Sequence, residues 1–404
     1  MFTGRIFSAI VLAAVLLAAA APARADDSAP AFAQDKLTGD WGGARTALYN
    51  RGISFDVYYK ADLWHNFSGG TKSGTRWDDN LDLKMTVDGA KAANLPGTTL
   101  FIYLLNNDGQ HPNELAGSEA GIDNIEVATP AFRLYEAWLE QNLLDDRLSL
   151  RAGLYDLNTE FYVTDASGLF LGPTYGIGAE MGATGDNGPS IFPVTSLALR
   201  IAAKPVANTY VQAALLDGVP GAPGDPRGTH VELGGGDGAL AVGEAGYRND
   251  DAGHYGLGVW EYTARRPEPG APAIRKHARG AYALAERTVY KDGGKTLSAF
   301  ARLGRTAGEV EQLKNGWSTG FLATGFVPQR PDAQFGLGIS GAENSGPFRS
   351  THAPLGSAET IVELTYQDKL TPAISLQPDL QYIVRAAPAI DNCWIGGLRL
   401  GVDF

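Results

Sequence analysis

The chain ends on WIGGLRLGVDF, residues 394–404. Counting back from Phe404 in twos gives Val402, Leu400, Leu398, Gly396 and Trp394, while the other parity gives Asp403, Gly401, Arg399, Gly397 and Ile395. Period-two alternation marks a strand with one face in an apolar medium and the other in a polar one. Ten steps at strand rise cover about 33 Å, which a tilt of about 40° reduces to roughly 25 Å of height, the apolar band of an outer-membrane barrel. Trp394 and Phe404 then fall at the two interfacial levels where aromatic side chains collect. Facing lipid at mid-height Arg399 would cost about 2–4 kcal/mol, so its parity is expected to face a water-filled lumen.

The same alternation recurs upstream. LDLKMTVD at 81–88 sets Leu81, Leu83, Met85 and Val87 against Asp82, Lys84, Thr86 and Asp88, and FDVYYKADLW at 55–64 behaves likewise. Marking such segments predicts sixteen strands between residues 53 and 404. Short connections such as NLLDDR and KDGGKT alternate with longer ones, including 65–79, 107–129, 156–193 and 263–279. A transmembrane antiparallel β-barrel has this asymmetry, with tight periplasmic turns and long extracellular loops. Two details fit less well: Pro378 predicts a bulge or a late start in strand 374–384, and Glu244 and Glu286 fall on the face assigned to lipid.

Composition narrows the functional classes. Arg5 precedes an apolar run, Ile6 to Ala21, and the Ala23-Arg24-Ala25 cut-site pattern, so residues 1–25 read as a cleaved signal peptide. The remainder holds 31 basic against 45 acidic residues, a net of −14, which argues against a nucleic-acid partner. Cys393 is the only cysteine, so it forms no internal disulfide and reads as a packed bystander. His65, His111, His230, His254, His277 and His352 show neither HxxxH nor HExxH spacing, and GxSxG is absent. No catalytic residue, metal site or cofactor is expected.

Residues 26–52 read as an N-terminal periplasmic segment, with Asp40 capping a short helix through Tyr49 and Gly52 ending it. It is either a plain lead-in or a brace at the mouth of the barrel, which occupies 53–404. LTGDWGGAR at 37–45, RLYEAWLEQNLLDDRLSLRAGLYDLNTEFYVTDASGLFL at 133–171, YGIGAE at 175–180 and GPSIFPVTSLALR at 188–200 resemble the carbohydrate-selective outer-membrane porins of the OprB type. The resemblance implies a sixteen-stranded barrel in the Gram-negative outer membrane that passes small sugars by diffusion. It also gives 156–193 a role, because porins of similar size fold their third extracellular loop inward to narrow the channel.

A pore acts through its lining. The inward parity near mid-height nominates Lys60, Asp62, Trp64, Asp82, Lys84, Glu136, Trp138, Arg151, Arg200, Glu363, Arg385 and Arg399. Both charge signs beside tryptophan suit a neutral polyhydroxyl solute, since guanidinium and carboxylate groups exchange hydrogen bonds with hydroxyls. From the loop, Asp156, Glu160, Tyr162 and Asp165 are expected at the constriction. The main alternative is a general porin, or one for other small polar solutes; an exported β-rich enzyme or carbohydrate-binding module is disfavoured by the lipid-facing parity. Expected partners are small carbohydrates, outer-membrane lipid and, through the terminal Phe404, the barrel-assembly machinery.

Overall fold

The computed structural model describes residues 30–404, apart from 223, 228, 230, 232–235, 251, 353–355 and 386–389. The expected signal peptide and His230 lie outside the described residues. The strands are β1 (Ile53–Gly70), β2 (Gly74–Asp88), β3 (Thr98–Gly109), β4 (Ala131–Leu143), β5 (Leu148–Tyr155), β6 (Ser196–Ala203), β7 (Thr209–Asp217) and β8 (Ala239–Asn249). They continue as β9 (Gly253–Glu268), β10 (Ala271–Asp292), β11 (Lys295–Thr306), β12 (Leu313–Thr324), β13 (Gln334–Asn344), β14 (Ala358–Thr371), β15 (Ile374–Arg385) and β16 (Asp391–Asp403). Each strand pairs with its sequence neighbours, and β16 pairs antiparallel with β1, so the sheet closes and no edge is left open. The opening stretch is that closing strand. Its register sets Arg399 directly against Asp62 across the seam.

Outward positions carry the apolar band. Leu257 and Leu303 are 69 % and 61 % exposed, whereas Arg399 is 9 % exposed on the inner face. Phe67, Trp77, Trp317 and Trp394 stand exposed near the extracellular strand ends, and Tyr255, Tyr290, Phe326 and Phe335 near the periplasmic ends. These are the two aromatic girdles of a membrane barrel. Turns on the periplasmic side are tight: Gly293 and Gly294 link β10 to β11 with φ of 53° and 85°, the left-handed pair that a two-residue hairpin requires.

Three expectations need correction. Residues 263–279 are not a long loop, because β9 and β10 run on as one hairpin above the band; 65–79 is likewise mostly β1 and β2. Beyond the membrane both faces of a strand are wet, so the alternation that marks a strand fades there. Pro378 makes no bulge: β15 is continuous and the register shift on β14 falls at Lys369/Thr371. Glu244 and Glu286 point inward, where both bind the loop that fills the barrel.

The N-terminal segment braces the periplasmic rim. Asp40 Oδ1 accepts from the Thr46 amide and hydroxyl, at 2.8 Å each, at the start of the helix Ala44–Asn50. Arg45 then donates to the Phe404 and Phe55 carbonyls at 2.9 and 2.8 Å, and Lys36 pairs with Asp403 at 2.7 Å. The described N-terminal segment and Phe404 are thereby tied together at the seam.

Candidate functional site

Among the described residues, two extracellular connections fold inward: L2, residues 110–130 between β3 and β4, and L3, residues 156–195 between β5 and β6. Irregular backbone inside a barrel is stable only if its polar groups find partners. Inward strand side chains supply them to L3. Glu244 accepts from the Tyr162 amide at 2.9 Å, Glu286 from Asp165 at 2.8 Å and also from Ala166, and Glu363 from Leu171 and Gly172 at 2.6 and 3.1 Å. Arg302 donates to the Tyr162 and Gly176 carbonyls at 2.8 and 2.7 Å, Gln212 to Glu160 at 2.9 Å and Gln377 to Leu169 at 2.6 Å.

Apolar packing completes the seat. Leu157, Phe161, Tyr162, Ile177 and Met181 of L3 form one core with Leu216, Leu240, Val242, Trp260 and Tyr282 from the facing strands. This explains the misassigned glutamates. In β8 and β10 the inward parity is apolar because L3 dries it, and the outward positions, such as Ala241 and Ala283, are small. The hydrophobic parity therefore pointed to the wrong face.

A cluster of charged groups borders that core, against which Trp138 packs. Arg151 lies over the Trp138 ring at 3.9 Å, and Trp138 stacks on Phe101 at 4.9 Å. Arg151 pairs with Glu140 at 2.7 Å and with Glu160 of L3 at 3.3 Å. Arg200 locks the same two acids from beneath, reaching Glu160 at 2.9 Å and also binding Glu140. Lys60 pairs with Asp82 at 3.2 Å, and Lys84 lies 4.7 Å from the Tyr103 ring centroid. Cavities open to either side: about 460 Å³ lined by Glu126, Arg133 and Asn187 on the extracellular side, and about 790 Å³ lined by Glu160, Lys204, Arg248 and His254 towards the periplasm.

Other nominated residues serve the scaffold. Trp64 is sealed at 0 % exposure and donates to Asp123 of L2 at 2.6 Å. Tyr162, also at 0 %, stacks on Tyr282 at 3.9 Å, so neither ring offers a face to a solute. Glu136 is buried and accepts from Trp138 Nε1 and the Asp156 amide, and Asp156 takes the Tyr135 hydroxyl. Asp165 sits on the periplasmic side with Arg248. Glu363 anchors L3, while Arg385 anchors L2 through Glu359 at 3.2 Å and the Ala116 carbonyl at 2.7 Å. Arg399 and Asp62 form a buried pair at 2.6 Å, with Asp123 and Asn124 of L2 at 3.1 and 2.8 Å.

Sequence reasoning missed Glu140, whose inward parity beside Glu136 and Trp138 was legible. It marked 107–129 as a long connection but not its inward docking, because nothing in a polar connector says where it docks. A register shift between β3 and β4 turns both Tyr135 and Glu136 inward, and alternation cannot foresee that.

Comparison with known proteins agrees with this architecture. Residues 72–404 match the model of the carbohydrate-selective porin, OprB family. Porin B of Pseudomonas aeruginosa is 24% identical over 419 residues, covering 91% of each chain, and the putative porin QuiX of Acinetobacter baylyi is 22% identical over 417 residues, covering 92% of this chain and 94% of its own. Among solved structures, Pseudomonas putida OprB at high pH superposes with a TM-score of 0.83 at 21% identity, over 93% of this chain and all of its own. The low-pH structure of the same protein gives 0.61 at 19% identity, covering 92% of this chain and 99% of its own. With its closed sixteen-stranded barrel and a match over most of its length, the chain belongs to the carbohydrate-selective porin family of the OprB type.

Proposed function

We propose that the protein passes small neutral sugars of the glucose class into the periplasm by passive diffusion, along the wall formed by β1 to β5. The arrangement of Arg151 over Trp138, flanked by Glu140 and Glu160, carries this reading. Guanidinium donors and carboxylate acceptors sit side by side, held in place by the stack of Arg151, Trp138 and Phe101, and match the hydroxyl rim of a pyranose. Arg151 and Arg200 balance Glu140 and Glu160 in charge, so this point favours no ion of either sign. Sugar binding there must stay weak for the solute to leave. Residues 1–25 serve as the cleaved export signal, and the terminal Phe404 serves as a mark for barrel assembly.

Liposome swelling tests the selectivity. Proteoliposomes should swell faster in glucose than in charged solutes of the same size, and Arg151→Ala should weaken the apparent glucose affinity about tenfold, the worth of a hydrogen bond to a charged group. Equal swelling in both solutes, or an unaltered variant, would remove the reading. Deleting Phe404 should lower the outer-membrane level of the protein; a normal level in membrane fractions would show that its C-terminal role is dispensable.

A further inference from the structure

Three carboxylates from three separate elements converge where L2 meets the barrel seam. Asp62 of β1, Asp78 of β2 and Asp123 of L2 each place one oxygen within 4.8 Å of the others. All three are sealed, at 2 %, 2 % and 3 % exposure. Arg399 reaches Asp62 and Asp123, so the ionised group retains a charge of −2 after its guanidinium is counted.

The oxygens are not equivalent. Both Asp62 oxygens accept from Arg399, and Asp123 accepts from Trp64, the Ile125 amide and Arg399. Among the described residues no donor reaches either oxygen of Asp78, and the group it faces at hydrogen-bond range is the Asp123 carboxyl, itself an acceptor when ionised. Asn107 Oδ1 on the adjoining strand β3 is also buried without a donor, and its amide donates to Asn80, the next inward residue of β2 after Asp78. A buried carboxylate with no donor is among the costliest groups in a fold, and hydrogen bonding elsewhere in the cluster does not relieve it.

The geometry points to a site for one divalent cation of the calcium type, bound by Asp62, Asp78 and Asp123, that fastens L2 to the barrel wall. Carboxylate oxygens are hard donors suited to calcium or magnesium. Two calcium–oxygen bonds of about 2.4 Å cover the observed separation. Arg399 occupies one flank, leaving an irregular set of directions; calcium tolerates that, whereas magnesium demands a near-ideal octahedron. A charge of +2 cancels what Arg399 leaves. This site depends on the barrel and on L2, not on the sugar reading.

Terbium(III), a calcium surrogate, gives a local readout because the Trp64 indole touches Asp123. Folded protein is stripped with EDTA, dialysed and titrated with terbium while tryptophan is excited, then with calcium as competitor. Sensitised emission should saturate at one ion per barrel, and calcium should displace it with a dissociation constant of about 10⁻⁴–10⁻³ M, as in extracellular modules. Asp78→Asn keeps the shape of the side chain and should weaken calcium at least about tenfold, the smallest loss that removal even of an outer-shell partner typically brings. Asp123→Asn, in the loop, should do the same, and heat-modifiable gel mobility verifies that each barrel has folded. Trp64→Phe should lose the emission while calorimetry still records calcium binding. No emission and no heat of calcium binding well above that range would overturn the site in favour of a proton held by Asp78. Unaltered affinity in both folded aspartate variants would overturn it equally.

Discussion

Arg200→Ala is expected to release L3 from the β5–β6 wall while leaving the barrel closed. Arg200 is 2 % exposed and holds Glu160 of L3, Glu140 of β4 and the Ser149 hydroxyl at once. Alanine leaves two acids to the single guanidinium of Arg151. Breaking a buried ion pair from one side costs about 3–5 kcal/mol, because the surviving charge stays desolvated. Glu160 keeps some contact with water, its side chain being 26% exposed, which argues for the lower end of that range. Single-channel current should rise and become noisy, glucose affinity should fall, and heat-modifiable mobility should persist. Lysine should rescue poorly, since it cannot reproduce the planar fork that spans both acids. Unchanged conductance would show that L3 does not depend on this clamp.

Gly304→Val is expected to unseat the other half of the loop. Gly304 and Gly316 lie opposite one another on β11 and β12, and the Glu180 carboxylate of L3 fills the space over both. A Cβ at Gly304 would overlap that carboxylate and meet the Tyr162 hydroxyl at 2.6 Å. Glu180 and Tyr162 are both fully buried and Tyr162 is stacked on Tyr282, so neither side chain can turn aside and the strain must move L3. Overpacking of this kind costs about 1–3 kcal/mol. Limited proteolysis within 156–195 should accelerate and conductance should increase; a variant as resistant as the parent would refute the seat.

The same seat is expected to respond to pH. Burial is the main cause that pushes Glu180 up to about 7, against opposing contributions from Tyr162 and Arg302. A carboxyl group whose docked value exceeds its free value stabilises docking fully at low pH and loses that contribution as pH rises through about 7. Faster proteolysis of L3 in the parent above neutral pH, and a weaker trend in Glu180→Gln, are the corresponding observations.

Strand count and the closing strand were legible because lipid imposes a strict rule on every outward residue. The rule needs no partner information. Arg399 and Asp62 were legible for the same reason, as charges that lipid forbids. The lumen obeys no such rule. Where L3 packs against it, inward residues such as Leu240 and Tyr282 look like lipid-facing ones, and Glu244 beside them looked misplaced. Trp64 and Tyr162 were nominated for their chemistry, yet both are consumed in holding loops. What separates a lining residue from an anchor is the path of L2 and L3, and that is fixed by contacts between residues far apart in the chain, such as Gln377 with Leu169.

Glucose titration against single-channel current in planar bilayers tests the central claim most directly. Current should fall saturably with glucose, an effect that Arg151→Ala weakens about tenfold, with no comparable effect from a charged solute of equal size. Current that does not respond to glucose, or that falls equally with the charged solute, would contradict it.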